Sequence, residues 1–389
     1  MDTLKIVRAV IAKTLKGRAT KIAATRGVAD TTANAEHLWD TDASRSFPVG
    51  GSVDSSQATG SNSNSAPVLH DLVDKYILRL PCSDSLLPNQ ITNEVAFKRF
   101  VASTISHIPV SQVYSFNATD SPETSYIVEE FIDGKALSSL WMTFTTTQKE
   151  TIARSLATIV VDLTEVRFSK IGGLDHVRFV SAPPVEGSKL FKGRGKFHKN
   201  ECYPIGPYSS TKEYMLACYD KEIFYYSNAD RDDIDESLFE DISVADFVAQ
   251  LQERRAALAE KSIADEPFVL IHGDLHGRNI LMKGDQIASV LDWDFAGSYP
   301  LSETLSDGGI DVVDANSEEL EEENCFWDRK IREYIRELVE GRAWSEGDTA
   351  LLLGGGDPAL GRGKDGINFL SRKGVPATQS VMRFCQSVL

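Results

Sequence analysis

Three oxygen-bearing side chains in the second half of the sequence have the types and spacing needed for chemistry on a phosphate group. Asp274 and Asn279 lie in His-Gly-Asp-Leu-His-Gly-Arg-Asn, and Asp292 opens the following Asp-Trp-Asp. Phosphoryl transfer needs a carboxylate that accepts the proton of an attacking hydroxyl, and hard oxygen ligands that hold Mg²⁺ on the phosphates. Asp274 is therefore the candidate base, and Asn279 and Asp292 are the candidate magnesium ligands.

The sequence between these residues predicts how they are brought together. The apolar pairs 280–281 and 290–291 indicate two strands of a hairpin that turns at 283–285. Such a hairpin would carry Asn279 and Asp292 at the polar ends of its strands, next to the loop that holds Asp274. The alternative for Asp274 is an ordinary turn or helix-capping aspartate.

Two histidines flank the candidate base. His272 is suited to fixing the backbone of the loop through hydrogen bonds, and His276 could reach a substrate or a phosphate. Read alone, His272, Asp274 and His276 also resemble a fragment of a metal-hydrolase site. The sequence has only seven histidines and no second cluster of His and Asp, which disfavours that interpretation.

The elements around these residues change in type along the chain. Strands are predicted at 20–25, 35–39, 76–80, 111–116 and 125–131, with helices at 3–16 and 90–104. After 133–135 the pattern becomes helical, notably at 147–166, 244–261 and 325–339. The prediction is an α+β fold with a small, mainly β lobe at 1–131 and a larger, mainly α lobe at 132–344.

Two segments are predicted to lack regular structure. Residues 41–68 are rich in Ser, Gly, Asn and Pro, a composition typical of a flexible insertion. Residues 345–389 form an irregular tail whose glycine-rich part, 354–366, does not match the spacing of a Walker phosphate loop.

Composition excludes several classes of protein. The formal charge of −16 disfavours a nucleic-acid binder and an anionic membrane surface. Two acidic runs, 230–241 and 314–323, could attract a cationic substrate; the favoured alternative is a solvated acidic surface. Five widely spaced cysteines fit a reducing compartment. Because the N-terminus lacks the apolar core of a secretion signal and no apolar run is long enough to span a bilayer, we expect a cytoplasmic protein. An organelle-import role for the basic N-terminus stays open. The oligomeric state is not predicted.

The segments HGDLHGRNI and VLDWDFAGSYP together resemble the aminoglycoside phosphotransferase-like family of small-molecule kinases, which includes choline and homoserine kinases. The resemblance runs over about residues 20–339. It implies a bilobal protein-kinase-like fold, ATP and Mg²⁺ as cofactors, Asp274 as base, and Asn279 and Asp292 as metal ligands. Residues 126–131, YIVEEF, resemble the segment between the lobes whose backbone pairs with adenine, which implies nucleotide contacts at Glu129, Glu130 and Phe131.

The sequence departs from this family at the phosphate-binding lysine of the third strand. Arg79 stands there, with Glu94 as the implied helix partner, and Lys75 is a less favoured substitute. Arginine offers a planar fork in place of a compact ammonium, so a phosphate contact would have a different geometry. The alternative is that Arg79 and Glu94 form only a stabilising ion pair. The nucleotide-covering loop also has a single glycine, Gly27.

The expected function is transfer of the ATP γ-phosphate to a hydroxyl of a small polar molecule. The alternative is a catalytically weak, kinase-like protein that binds a nucleotide or metabolite. A protein kinase is disfavoured because no activation segment from Asp-Phe-Gly to Ala-Pro-Glu follows Asp292.

Overall fold

Contacts between residues divide the chain into two compact units. The computed structural model describes residues 44–50, 75–81, 85–175, 179–185, 195–234, 242–305 and 309–354, with 44–50 and 75 described by backbone alone. One unit contains the described residues up to Ile91 together with Ser111–Asp133, and the other contains Thr92–Val110 and the described residues from Gly134 onward. The last of the three divisions, after Asp133, lies two residues beyond the boundary predicted after 131. The first lies inside a helix.

The first unit is built on a four-stranded antiparallel sheet. Its strands are β1 (Ser44–Gly50), β2 (Lys75–Pro81), β3 (Val113–Asn117) and β4 (Tyr126–Glu130), in the spatial order β1-β2-β4-β3. Leu78 pairs with Val128 in the register and packs with Tyr126 in a small apolar core. The alternation in 76–80 therefore predicts β2 correctly, because every second residue of that strand faces one side of the sheet.

Strand β1 corrects one prediction. It lies inside 41–68, which the composition predicts to be a flexible insertion, yet 44–50 pairs with β2 along its whole length. Backbone hydrogen bonds to a neighbouring strand do not require apolar side chains, and an edge strand tolerates Pro48. The remainder of 41–68 lies outside the described residues, as do the predicted helix at 3–16 and the predicted strands at 20–25 and 35–39.

The second unit is mainly helical. In the described ranges its long helices are α1 (Asn89–Thr104, which begins in the first unit), α3 (Thr146–Thr164), α4 (Thr211–Asn228), α5 (Val244–Glu260) and α6 (Glu318–Gly341); two short ones are α2 (Leu137–Leu140) and α7 (Glu346–Leu352). Helix α3 begins with a capping box in which the side chains of Thr145 and Gln148 satisfy each other's backbone amides. Serine caps begin the other three long helices from α4 to α6.

Short strands join these helices into one core. β9 (Phe268–Ile271) lies between β6 (Arg167–Phe168) and β12 (Gly297–Pro300), and β10 (Ile280–Lys283) lies between β5 (Lys135–Ala136) and β11 (Gln286–Val290). β7 (Gly173–Leu174) and β8 (Val180–Ala182) form a separate pair. The core cluster draws on all of the long helices and includes Trp293, Tyr299 and Trp327.

Helix α6 begins seven residues earlier than predicted. The residues before Cys325 are an acidic run, Glu318 to Glu323, whose polarity hides the helical pattern. Acidic side chains are favourable in a first turn because the helix dipole is positive there, and the Ser317 side chain accepts a hydrogen bond from Leu320 N.

The tail from 345 is also corrected in part. Residues 346–352 form α7, whose cap Ser345 accepts a hydrogen bond from Asp348 N at 3.0 Å, and Leu352 is fully buried. The Ser-x-x-Asp spacing is a helix-start signal that the glycines downstream obscure. The α+β class is confirmed. Among the helices in the described ranges, none combines the length and hydropathy needed to cross a bilayer.

Candidate active site

The loop that carries Asp274 begins at the end of a buried strand. All four residues of β9, Phe-Val-Leu-Ile, are buried, as expected for a strand covered on both faces. Hydrogen bonding to β6 on one side and β12 on the other fixes the position from which the loop leaves. Gly273 follows with φ +83°, and a Cβ there would lie 2.4 Å from the carbonyl oxygen of Phe295. Only glycine fits this turn.

His272 connects this loop to the hairpin that follows. Its Nδ1 accepts a hydrogen bond from Asp274 N at 3.3 Å, so Nε2 carries the proton and donates it to Leu291 O at 2.8 Å. The ring also packs on Trp293, with centroids 4.6 Å apart. Burial lowers the pKa of His272 to about 4, so the imidazole is neutral near pH 7. With both ring nitrogens engaged, His272 has no lone pair for a metal, which argues against the metal-hydrolase interpretation.

The Asp274 carboxylate is held at both oxygens. Asn279 Nδ2 donates to Oδ2 at 2.9 Å, and His276 Nε2 lies 3.0 Å from Oδ1. His276 also contacts Arg278: its Nδ1 accepts from Arg278 N at 3.2 Å, and its Nε2 lies 3.0 Å from Arg278 Nη2. Burial raises the pKa of Asp274, but the side-chain hydrogen bonds with His276 and Asn279 oppose burial, and the pKa lies below its usual value. Asp274 is thus an ionised and oriented carboxylate, the form that a general base requires.

The side chain of Asn279 is oriented by the same contacts. Its Nδ2 donates to both the backbone oxygen and Oδ2 of Asp274, each at 2.9 Å. The amide oxygen consequently points away from Asp274, and oxygen is the atom that Mg²⁺ requires. Asn279 lies in a 3₁₀ turn, Gly277–Asn279, that leads into β10.

Asp292 lies at the same end of the β10–β11 hairpin as Asn279. Ile280 pairs with Val290 in the register, and Leu291 N donates to Asn279 O at 2.8 Å, so Asp292 lies one residue from a direct contact with Asn279. Asp292 is buried and has left-handed backbone angles, φ 54° and ψ 65°. This conformation costs most residues about 1–2 kcal/mol and is tolerated by Asp and Asn. A strained residue held by a buried hairpin is typical of functional sites.

The donor set fits a magnesium ion. The amide oxygen of Asn279 and the carboxylate of Asp292 are hard oxygen ligands, and the metal would complete its shell with phosphate oxygens and water. Within the described residues no group of three or more His, Cys, Asp or Glu side chains could hold a metal by itself. A site that needs phosphate to complete it is the kind that kinases use.

A cavity of about 160 Å³ opens beside Asp274. Its walls come from α3, β9, the loop after β9, Tyr299 and the segments 303–305 and 309–311. Besides Asp274, its acidic lining residues are Glu303 and Asp311. Burial raises the pKa of Asp311, and the nearby charge of Asp328 adds to that rise. Because Asp274 lines this cavity, an alcohol bound there would lie beside its carboxylate.

Most of the residues predicted to contact the nucleotide have partners within their own unit. In the first unit, Arg79 and Glu129 are both buried, with Arg79 Nη1 3.9 Å from Glu129 Oε1, and Ser111 donates to Glu129 Oε2 at 2.6 Å. Glu130 Oε2 accepts from Gln112 N at 3.2 Å, and Phe131 follows the end of β4. In the second unit, Glu94 pairs with Lys98 at 2.8 Å, one helical turn away. The implied pairing of Arg79 with Glu94 remains a prediction.

Two sets of hydrogen bonds that support the site are not predicted by the sequence. Asn93 is fully buried, donates to Ala296 O at 2.8 Å and accepts from Leu174 N at 3.2 Å, so it holds the chain just after Asp292. Segment 309–313 holds Gly277 from the other side, as Gly277 N donates to Asp311 O at 2.7 Å. Neither contact has a local sequence signal, because the partners are far apart in the chain.

Residues 56–323 match the model of a family described as the phosphotransferase enzyme family, APH. The chain belongs to this family. The resemblance of the two motifs is therefore confirmed, and with it the prediction of a phosphotransferase. ATP as the phosphate donor, with Mg²⁺, agrees with that membership.

Solved structures of aminoglycoside phosphotransferases are similar at low identity. A thermostable mutant of APH(4)-Ia in a ternary complex with ADP and hygromycin B is 15% identical, with 90% of each chain covered and a TM-score of 0.46. The streptomycin–ATP–APH(2")-IIa complex is 12% identical, covers 88% of this chain and 86% of that one, and has a TM-score of 0.43. Similarity at this level says nothing about the acceptor of the present protein. A search of curated protein sequences finds no match.

Proposed function

We propose that this phosphotransferase moves the γ-phosphate of ATP to a hydroxyl group of a small polar molecule. The hydroxyl oxygen bonds to the γ-phosphorus, the bond from that phosphorus to the β,γ-bridging oxygen breaks, and ADP leaves. The hydroxyl proton passes to the Asp274 carboxylate. The observation that carries this proposal is the double hydrogen bond from Asn279 Nδ2 to Asp274, because one amide both orients the base and turns its own oxygen outward.

Each candidate residue has a defined part. Asp274 accepts the proton and aims the acceptor oxygen, while Asn279 and Asp292 would hold Mg²⁺ through their oxygens. When bound, Mg²⁺ offsets the negative charge of the phosphate groups. Arg79, with Glu94, is the candidate phosphate contact, and the backbone of 129–131 is the candidate adenine contact. Both assignments rest on the resemblance to the family.

The cavity beside Asp274 supports a cationic acceptor. Three carboxylates, those of Asp274, Glu303 and Asp311, line it. The chain as a whole carries a formal charge of −16. A cationic group on the acceptor would be attracted by that field, and an anionic acceptor would be repelled.

The test is turnover with MgATP against a panel of hydroxylated small molecules, including amino alcohols, with mass gain of one phosphate as the readout. Asp274→Asn should lower kcat by roughly 10²- to 10⁴-fold, because that is the usual contribution of a positioned base. Its affinity for MgATP, measured by calorimetry, should stay near the wild-type value. Asp285→Asn is the matched control, since Asp285 lies at the exposed turn between β10 and β11.

Two results would contradict the proposal. Tight binding of MgATP with no phosphorylation of any panel member or of a metabolite extract would favour the alternative, a nucleotide-binding protein with little catalytic power. Turnover that Asp274→Asn and Asp285→Asn reduce equally would remove Asp274 from its role.

A further inference from the structure

A segment without regular secondary structure, residues 309–313, lies between the catalytic loop and helix α6; we call it the strap. On the loop side, Gly277 N donates to Asp311 O at 2.7 Å. The approach is so close that a Cβ on Gly277 would lie 2.4 Å from Val312 O. The strap therefore fixes the backbone of the loop midway between Asp274 and Asn279.

On the helix side, one buried amide holds the strap. Asn324 Oδ1 accepts from Val312 N at 2.9 Å and from Val313 N at 3.0 Å, and its Nδ2 donates to Val313 O at 3.0 Å. Asn324 is 5% exposed. Because none of the described strands pairs with the strap at these positions, Asn324 replaces the backbone partners that a sheet would supply.

One turn further along α6, Asp328 extends the same face. Its Oδ1 accepts from Ile310 N at 3.2 Å, and Arg332 Nε donates to its Oδ2 at 2.7 Å. Gly309 has φ +96°, and a Cβ there would lie 1.9 Å from Asp328 Oδ1. Positions 324, 328 and 332 lie on one face of a helix, so α6 presents a row of polar groups to the strap and its approach.

The strap also forms part of the cavity wall. Gly309, Ile310 and Asp311 line the cavity together with Asp274. A displacement of the strap would move the Gly277 amide and the cavity wall at once.

We infer that Asn324 is a positioning residue for phosphoryl transfer, acting through the strap on the catalytic loop. Its catalytic effect rests on the function proposed above, whereas its effect on the loop does not. Asn324 contacts no reacting atom. It fixes two peptide groups whose neighbour, Asp311, holds Gly277, and Gly277 lies in the same short loop as Asp274 and Asn279.

The test compares Asn324→Asp with the wild type in the full-length protein. Aspartate keeps the shape of the side chain but places an oxygen against Val313 O where Asn324 Nδ2 now donates. Asn228→Asp is the matched control, because Asn228 is exposed on α4 and its Nδ2 donates to Phe224 O at 2.8 Å. Amide hydrogen exchange, measured by mass spectrometry on peptides covering 272–281, reports the loop without reference to activity.

We expect loop exchange in Asn324→Asp to speed up by at least about tenfold, as lost structural protection exposes the Gly277 amide. We expect kcat to fall roughly 10- to 100-fold while KM for ATP changes by less than about threefold, because a 1 Å misplacement costs about 10²-fold in rate without removing a nucleotide contact. Asn228→Asp should leave loop exchange and kcat unchanged.

The outcomes separate the two proposals. Faster loop exchange in a protein whose wild type phosphorylates nothing would keep the positioning role and remove the proposed function. Loop exchange and kcat equal to wild type, with only a lower melting temperature, would overturn the positioning role. If Asn324→Asp does not fold, Gly277→Ala, whose Cβ would push the strap from the loop side, must produce the same faster exchange; unchanged exchange there would overturn the inference.

Discussion

The buried imidazole of His272 makes a quantitative prediction about pH. Burial lowers its pKa from an ordinary 6.5 to about 4 in the folded chain. The unfolded chain therefore takes up a proton near pH 6.5, whereas the folded chain resists protonation until about pH 4. The neutral imidazole therefore contributes its full share to the free energy of unfolding above pH 6.5, and this contribution is lost as the pH falls toward 4. Between pH 7 and pH 5 the loss is about 2 kcal/mol.

The variant His272→Gln isolates this effect, because glutamine does not titrate and its amide can donate toward Leu291 O. Urea unfolding at pH 7 and pH 5 gives the free energy of unfolding of each protein. The wild type should lose about 2 kcal/mol more than His272→Gln between the two pH values. Subtracting the two losses cancels the carboxylates, which titrate in both proteins.

The protonation state of His272 can also be measured directly. Nuclear magnetic resonance of the imidazole groups, assigned for His272 by its absence in the glutamine variant, should show a single tautomer with the proton on Nε2 from pH 8 to pH 5. Protonation of His272 near pH 6, or equal losses of stability in the two proteins, would show that the imidazole is not buried as a neutral acceptor.

Three further changes test the scaffold by urea unfolding at pH 7. Glu323→Gln should lower the free energy of unfolding by about 1 kcal/mol. Burial raises the pKa of Glu323, but hydrogen bonds from Lys149 and from two tryptophan indoles outweigh burial and hold that pKa below its usual value. The difference from the wild type should shrink as the pH falls through that pKa, and a constant difference would contradict the assignment. Gly273→Ala should cost at least about 2 kcal/mol, since φ is +83° and Phe295 O blocks the Cβ; an unchanged midpoint would mean that the turn can relax. Asn93→Ala should cost about 1–3 kcal/mol and speed amide exchange at Leu174, whose N–H loses its acceptor; protection of Leu174 equal to wild type would refute that role.

Local pattern was sufficient for most of the elements described. The alternation at 76–80, the helical spacing at 90–104 and the hairpin around 283–285 lie within a residue or two of β2, α1 and the β10–β11 pair. Each is an element whose own side chains decide its form. The contact between Asp274 and Asn279 was likewise predictable, because five residues separate them on one loop.

Contacts that depend on distant chain segments could not be predicted. The amide of Asn324 reaches the strap 11 residues away, and Asn93 reaches Ala296 across 203 residues. A buried asparagine has no periodic signature, so its role emerges only once the backbone groups beside it are known. Helix α6 shows the related limit, since its acidic first turn is favoured by the helix dipole and not by an apolar pattern.

Asp292 is a proposed magnesium ligand, and its left-handed backbone bears on how such a protein could lose its activity. Asparagine and glycine tolerate those angles as well as aspartate does or better. A single nucleotide substitution converts an aspartate codon into a codon for either one. Descendants could therefore discard the negative charge in one genetic step while the surrounding turn stays intact, and silenced relatives should carry Asn or Gly at this position far more often than a bulky or β-branched residue.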